Sequence, residues 1–146
     1  MERIDKQVTV NASIERVFNY LKEPDNLLEI WSSLIQVDGI KPLANSGYYV
    51  KWSYKMAGMR FNGFAEYTKV VPNQWIIIEV KGEIFATLTW TFRENNGKTN
   101  VYLTIEYTIP VPLLGKLAEV IVRRMNEQEA DLIMSHLSTR FLVINH

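Results

Sequence analysis

The chain has 146 residues, no cysteine, and balanced charge, with 16 Lys plus Arg against 16 Asp plus Glu. That length suits a single domain able to bury a core without covalent staples, and the missing cysteines exclude disulfides, thiol chemistry, iron–sulfur clusters and Cys-ligated zinc. With no cationic surplus and no block of like charge, nothing supplies the phosphate-neutralising face that tight nucleic-acid binding needs.

Residues Met1 to Lys6 are charged and lack an apolar signal core. The longest apolar runs, such as Trp75 to Ile78, are far shorter than the roughly 20 residues of a membrane span. No membrane span and a cytoplasmic location are therefore expected.

Along the chain, Arg3 to Val10 alternates, with Ile4, Lys6, Val8 and Val10 on one side, and predicts a strand. Asn11 or Ser13 then caps a helix carrying Val17, Phe18 and Leu21 at helical spacing. Pro24 to Trp31 reads as a second short helix with Leu27, Leu28 and Trp31 on its apolar side. Strand and turn then repeat: Ile35 to Ile40, Tyr48 to Met56, Arg60 to Val71 and Gln74 to Val80. Turns fall at Ala44 to Gly47, Ala57-Gly58, Pro72-Asn73 and Lys81 to Glu83.

The two clearest strands come next. Ala86, Leu88, Trp90 and Phe92 alternate with Thr87, Thr89, Thr91 and Arg93. After the hairpin signal Asn95-Asn96-Gly97-Lys98, Val101, Leu103, Ile105 and Tyr107 alternate with Tyr102, Thr104, Glu106 and Thr108. One apolar and one polar face is the pattern of an antiparallel sheet covered on one side. From Leu113 to roughly Val143 the period becomes helical, with Leu114, Leu117, Ala118, Ile121, Met125, Gln128, Leu132, His136 and Thr139 on one predicted inner stripe. No repeat or linker interrupts the chain, so residues 1–146 are expected to form one domain.

Seven strands about 4.8 Å apart make a sheet roughly 30 Å wide, whereas a helix with its side chains is about 10–12 Å across. A lone helix covers such a face only if the sheet curls around it, and the corners then need filling. Tyr48, Trp52, Tyr54, Trp90 and Tyr107 can fill much of that space, and a ligand-sized hollow is the expected remainder.

The order of elements, the segment Val8 to Phe18 (VTVNASIERVF), and Pro24-Asp25-Asn26-Leu27 followed by Trp31 resemble the helix-grip, START-like superfamily. That superfamily holds lipid-transfer domains, polyketide cyclases and dehydrases, coenzyme Q-binding proteins and plant pathogenesis-related proteins. The segment Pro110 to Glu119 (PVPLLGKLAE) resembles the start of its C-terminal helix. The resemblance spans the chain and implies an α+β fold: a seven-stranded curved antiparallel sheet around a long C-terminal helix, with two short helices between the first two strands. It also implies a hydrophobic tunnel whose mouth lies near the short helices. A fold shared by divergent members assigns no activity.

The candidate ligand-binding residues are Trp52, Tyr54, Trp90, Tyr107, Met125, Gln128 and His136. Tyrosines on apolar strand faces offer a ring to the pocket and a hydroxyl as donor, or turn that hydroxyl out at the sheet's edge. Gln128 and His136 are polar residues on the predicted inner stripe, able to hydrogen-bond a ligand or one another. Glu66 is a general base if inward and an ordinary solvated charge if outward.

Two histidines, His136 and His146, cannot build a multi-histidine metal site. No Gly-x-Ser-x-Gly elbow, phosphate loop or dinucleotide fingerprint occurs. Neither a metal nor a cofactor is expected, and catalytic residues stay unassigned. The expected partner is a small hydrophobic molecule of lipid, isoprenoid or aromatic type. The alternatives are a cyclase or dehydrase acting on such a molecule, and a partner-binding accessory. Met134, Leu137, Phe141 and Leu142 leave the predicted inner stripe and offer a surface for a homodimer.

Overall fold

A computed structural model of the chain describes residues 2–56, 58–108 and 116–142, with side chains from residue 120 onward in the last stretch. Strand β1 (Glu2–Val10) is followed by helix α1 (Ile14–Lys22), a 3-10 turn (Pro24–Asn26) and the one-turn helix α2 (Leu27–Ile30). Then come β2 (Leu34–Pro42), β3 (Tyr48–Met56), β4 (Met59–Val71), β5 (Trp75–Gly82), β6 (Phe85–Asn95), β7 (Lys98–Thr108) and helix α3 (Lys116–Arg140). The expected Ala57 turn residue, the start of the last helix at Leu113 and its stripe residue Leu114 lie outside what is described, as do the side chains of Leu117 and Ala118.

The strands form one antiparallel sheet in the order β1-β7-β6-β5-β4-β3-β2. Hairpins link neighbours from β2 to β7, and β1 closes onto β7 from Glu2 opposite Tyr107 to Val10 opposite Thr99. The β6–β7 turn is the one its sequence signals: Asn96 and Gly97 both take positive φ, 51° and 82°, as a two-residue hairpin loop requires. Edge strand β2 carries two register shifts, and Gly39 within it sits at φ 58°. Such irregularities blunt an exposed edge.

Helix α1 caps one end of the sheet. The Ser13 hydroxyl accepts from the Arg16 amide at 3.4 Å, and Val17, Phe18 and Leu21 are buried. Phe18 meets Phe92 of β6 edge to face, centroids 5.6 Å apart. Thr99, fully buried, donates its hydroxyl to the Ala12 carbonyl at 2.9 Å and ties β7 to this corner.

Helix α3 lies along β1 and α2. Burial of one apolar stripe fixes its rotation, and exposed ion pairs accompany it. Lys6 reaches Glu127 at 2.9 Å and Asp131 at 3.0 Å, Arg123 meets Glu2 at 2.6 Å, and Arg140 meets Glu29 at 3.1 Å. Lys6 stands in the inward set of β1 because its stem covers apolar surface while its ammonium finds these acids.

In this rotation the expected inner stripe is wrong by one position. Val122, Ala130, Ile133, Met134, Leu137 and Phe141 are buried, whereas Ile121, Met125 and Leu132 are 52%, 39% and 44% exposed. Met134, Leu137 and Phe141, read from sequence as a dimer surface, are core of the same chain; Leu142 alone of that group is exposed. The physical reason is that two adjacent stripes of α3 are both apolar. The stripe facing inward also carries Asn126 and Glu129, which periodicity counts against burial.

Candidate functional site

Between the inner face of the sheet and α3 lies a cavity of about 120 Å³. Its floor comes from alternating residues of β3 and β4: Val50, Trp52, Tyr54 and Met56 on one strand, Ala65 and Tyr67 on the other. Pro24, Leu27 and Trp31 close one side, and Asn126, Glu129, Ala130 and Ile133 of α3 close another. Gly63 makes the floor possible. A Cβ there would run into the Lys81 carbonyl and the Trp52 indole, so only glycine lets that ring lie against the sheet.

The wall is apolar apart from a few hydroxyl, indole and amide groups and one carboxylate. Among the described residues it holds no cationic side chain, and no group of three or more His, Asp or Glu could hold a metal. Tyr54 accepts from the Trp31 indole N–H at 3.2 Å, and the two rings meet edge to face at 5.9 Å. Glu129 accepts from the Ser33 amide at 2.8 Å and the Ser32 hydroxyl at 3.0 Å, pinning α3 to the loop between α2 and β2. Asn126 lies against Met56, 3.8 Å from its sulfur, and its hydrogen bond to Tyr107 opposes the upward push that burial gives that tyrosine.

Burial pushes the Tyr54 hydroxyl up to about 12, with the Trp31 hydrogen bond opposing and the Glu129 charge adding. In the unfolded chain the group titrates near 10. Stability carried by the protonated hydroxyl is therefore complete below pH about 10 and is lost as pH rises from about 10 to about 12, because the unfolded state gives up this proton first. That interval corresponds to roughly 2–3 kcal/mol. Urea unfolding from pH 8 to 12 should show a shallower alkaline loss in Tyr54→Phe than in wild type; equal slopes would reject this assignment.

Of the residues proposed from sequence, the structure brings Trp52, Tyr54 and Tyr107 to the cavity wall. It does not bring the other four there. Trp90 is fully buried core, paired across the sheet with Ile76 and Leu103. Met125 and Gln128 are exposed, on the side of α3 turned away by the one-position shift. His136 donates from Nδ1 to the Ile30 carbonyl at 3.1 Å, satisfying an acceptor that the end of α2 would otherwise leave open. Glu66 faces outward, as does Phe64, which stacks on Tyr49 at 5.6 Å.

Sequence reasoning missed Tyr67, Asn126 and Glu129. For Tyr67 a signal existed: Phe61, Gly63, Ala65 and Tyr67 alternate with Arg60, Asn62 and Glu66, but the outward Phe64 blurred the pattern. For Asn126 and Glu129 no local signal distinguishes an inward polar residue from a solvated one.

A mostly apolar cavity held between an antiparallel sheet and a C-terminal helix defines a START-like, helix-grip protein. Over residues 1–141 the sequence matches the family described as polyketide cyclase / dehydrase and lipid transport, and the chain belongs to it. Among solved structures, the chain is similar to the Zhui aromatase/cyclase from Streptomyces sp. R1128, with a TM-score of 0.81 at 14% identity over 95% of this chain and 92% of that one. It is also similar to a protein from Thermus thermophilus, TTHA0849, with a TM-score of 0.78 at 19% identity over 96% and 97%. A START superfamily protein from Mycobacterium smegmatis gives 0.74 at 10% identity over 94% and 98%. At these identities the likeness is one of fold. Among curated proteins, none matches the sequence significantly. No helix among the described residues is long and apolar enough to cross a membrane.

Proposed function

We propose that this chain binds a small, mostly apolar molecule in the cavity between sheet and α3, with Trp52, Tyr54 and Tyr107 among the residues that touch it. The observation that carries this reading is the cavity itself: about 120 Å³, with a largely hydrocarbon wall. An apolar cavity of about 150 Å³ stays dry and takes up benzene, whereas sites for drug-sized ligands run to roughly 300–1,000 Å³. The volume therefore favours a single-ring molecule over a long lipid or isoprenoid chain, which would need α3 to move off the sheet. We take the carrier to be one cytoplasmic domain, and the balanced charge argues against a nucleic-acid partner.

A cyclase or dehydrase reading has one observation in its favour. Tyr54, Tyr107, Asn126 and Glu129 all stand on the wall, and Tyr54 keeps its proton at neutral pH. These groups suffice to orient a ligand. Glu129, the one carboxylate among them, already accepts two hydrogen bonds from the Ser32–Ser33 loop, which suits it to structure more than to proton abstraction.

Ligand-observed NMR with toluene tests the carrier reading. Saturable one-to-one binding with Kd of roughly 1 mM or tighter is expected, corresponding to about 4 kcal/mol. Failure of toluene and of other single-ring compounds to bind would reject it.

A further inference from the structure

Tyr67 is 1% exposed, lines the cavity, and its hydroxyl has no hydrogen-bond partner among the described residues. Nearly all buried polar side-chain groups find a partner, and leaving one without is costly. One acceptor near this hydroxyl is already engaged. Glu23, whose charge is felt at Tyr67, accepts from Tyr48 at 3.2 Å through both carboxylate oxygens. The Tyr48 and Tyr67 rings meet edge to face, centroids 6.0 Å apart. Indole N–H groups without partners carry less weight, because Trp75 and Trp90 have them outside the cavity wall as well.

The backbone around Tyr67 is held in place from several directions. The Asn45 amide donates to the Tyr67 and Thr68 carbonyls, each at 3.0 Å. Gly47 packs so closely on the Tyr67 carbonyl that a Cβ there would collide with it. A register shift between Tyr67 and Lys69 interrupts the β4–β5 ladder at this point. Bulges re-aim side chains, and the side chain beside this one ends in a donor with no partner among the described residues.

From this we infer that the ligand is a neutral, single-ring-sized hydrophobe bearing an oxygen acceptor, a ketone, aldehyde or similar group, to which the Tyr67 hydroxyl donates. The inference rests on the carrier reading and narrows its ligand class. Neutrality follows from the wall, whose almost wholly hydrocarbon surface leaves a charge of either sign desolvated. An anionic ligand in addition meets no cation among the described residues there, and it meets Glu129 on the wall with Glu23 and Asp25 close to Tyr67. The oxygen follows from the donor, which pure hydrocarbon leaves unpaired.

The test uses two ligands of nearly the same shape, cyclohexanone and methylenecyclohexane, with wild type and Tyr67→Phe. Losing one hydrogen bond to the ketone should weaken cyclohexanone binding about tenfold in the variant, while methylenecyclohexane changes less than twofold. Equal changes for both, or none for either, would overturn the inference. It would leave the carrier reading standing, because saturable binding of the hydrocarbon depends on the cavity alone.

A measurement on wild type keeps the inference exposed even if the variant folds poorly. The C=O stretch of bound cyclohexanone should lie at lower frequency than in hexane. An unshifted stretch means that the hydroxyl serves some other partner, such as a buried water, and the inference fails. If neither ligand binds wild type, both this inference and the carrier reading fall.

Discussion

Replacing Trp90 with Ala should destabilise the protein by about 3–5 kcal/mol. For a chain of this size that lowers the midpoint of thermal unfolding by roughly 10 °C. The side chain is fully buried on β6, between Ile76 of β5 and Leu103 of β7, and lies outside the cavity wall. Its removal therefore opens a new void in packed core. The comparison that gives the measurement its meaning is Trp52→Ala, because Trp52 already borders empty space and its neighbours lose fewer contacts. Calorimetry on the two variants should rank Trp90→Ala as much the more damaging. The reverse ranking would mean that the core and the cavity have been assigned the wrong way round.

Filling the cavity should abolish ligand uptake without harming the fold. Ala65 is buried on β4 and its side chain lines the hollow. Ala65→Leu adds three carbons to a space of about 120 Å³, whose closest benchmark, at about 150 Å³, holds a six-carbon ring. A ring and a leucine side chain do not fit there together, so toluene should show no saturable binding to the variant. Overpacking normally costs about 1–3 kcal/mol. Here the added carbons enter an existing void, and their burial, at about 0.8 kcal/mol per methylene, offsets that cost. The thermal midpoint should stay level or rise. Undiminished toluene binding by a folded Ala65→Leu protein would place the ligand somewhere other than between the sheet and α3.

These two substitutions separate what was readable in the sequence from what was not. Trp90 and Trp52 look alike as sequence: each is an indole on the apolar side of an alternating strand. Alternation tells which face a residue takes, and for both it predicts the inner face correctly. It does not tell what stands opposite. Trp90 meets closely packed core, and Trp52 meets a hollow, because α3 lies along β1 and α2 and leaves the β3–β4 floor uncovered.

The helix shows the same limit in another form. Its apolar residues occupy two neighbouring stripes, and helical periodicity alone cannot choose between them. In the rotation observed, Lys6 and Glu2 of β1 pair with Glu127, Asp131 and Arg123, and the Ser33 amide binds Glu129. All are contacts between residues about a hundred positions apart in the chain. Turning the helix by one position carried Met125 and Gln128 outward and set Asn126 and Glu129 on the cavity wall.

The sequence by itself determined the strands, the Asn96-Gly97 hairpin, a helix capped at Asn11 or Ser13, the sheet's single apolar face and the family, because each follows from local periodicity, backbone preference or a contiguous motif. Tertiary structure alone decided the rotation of α3, the outward turn of Glu66, the structural use of His136 and the burial of a Tyr67 hydroxyl with no partner among the described residues. Each of those depends on which distant groups meet, and a polar side chain goes inward only where another part of the fold, or a ligand, supplies its partner.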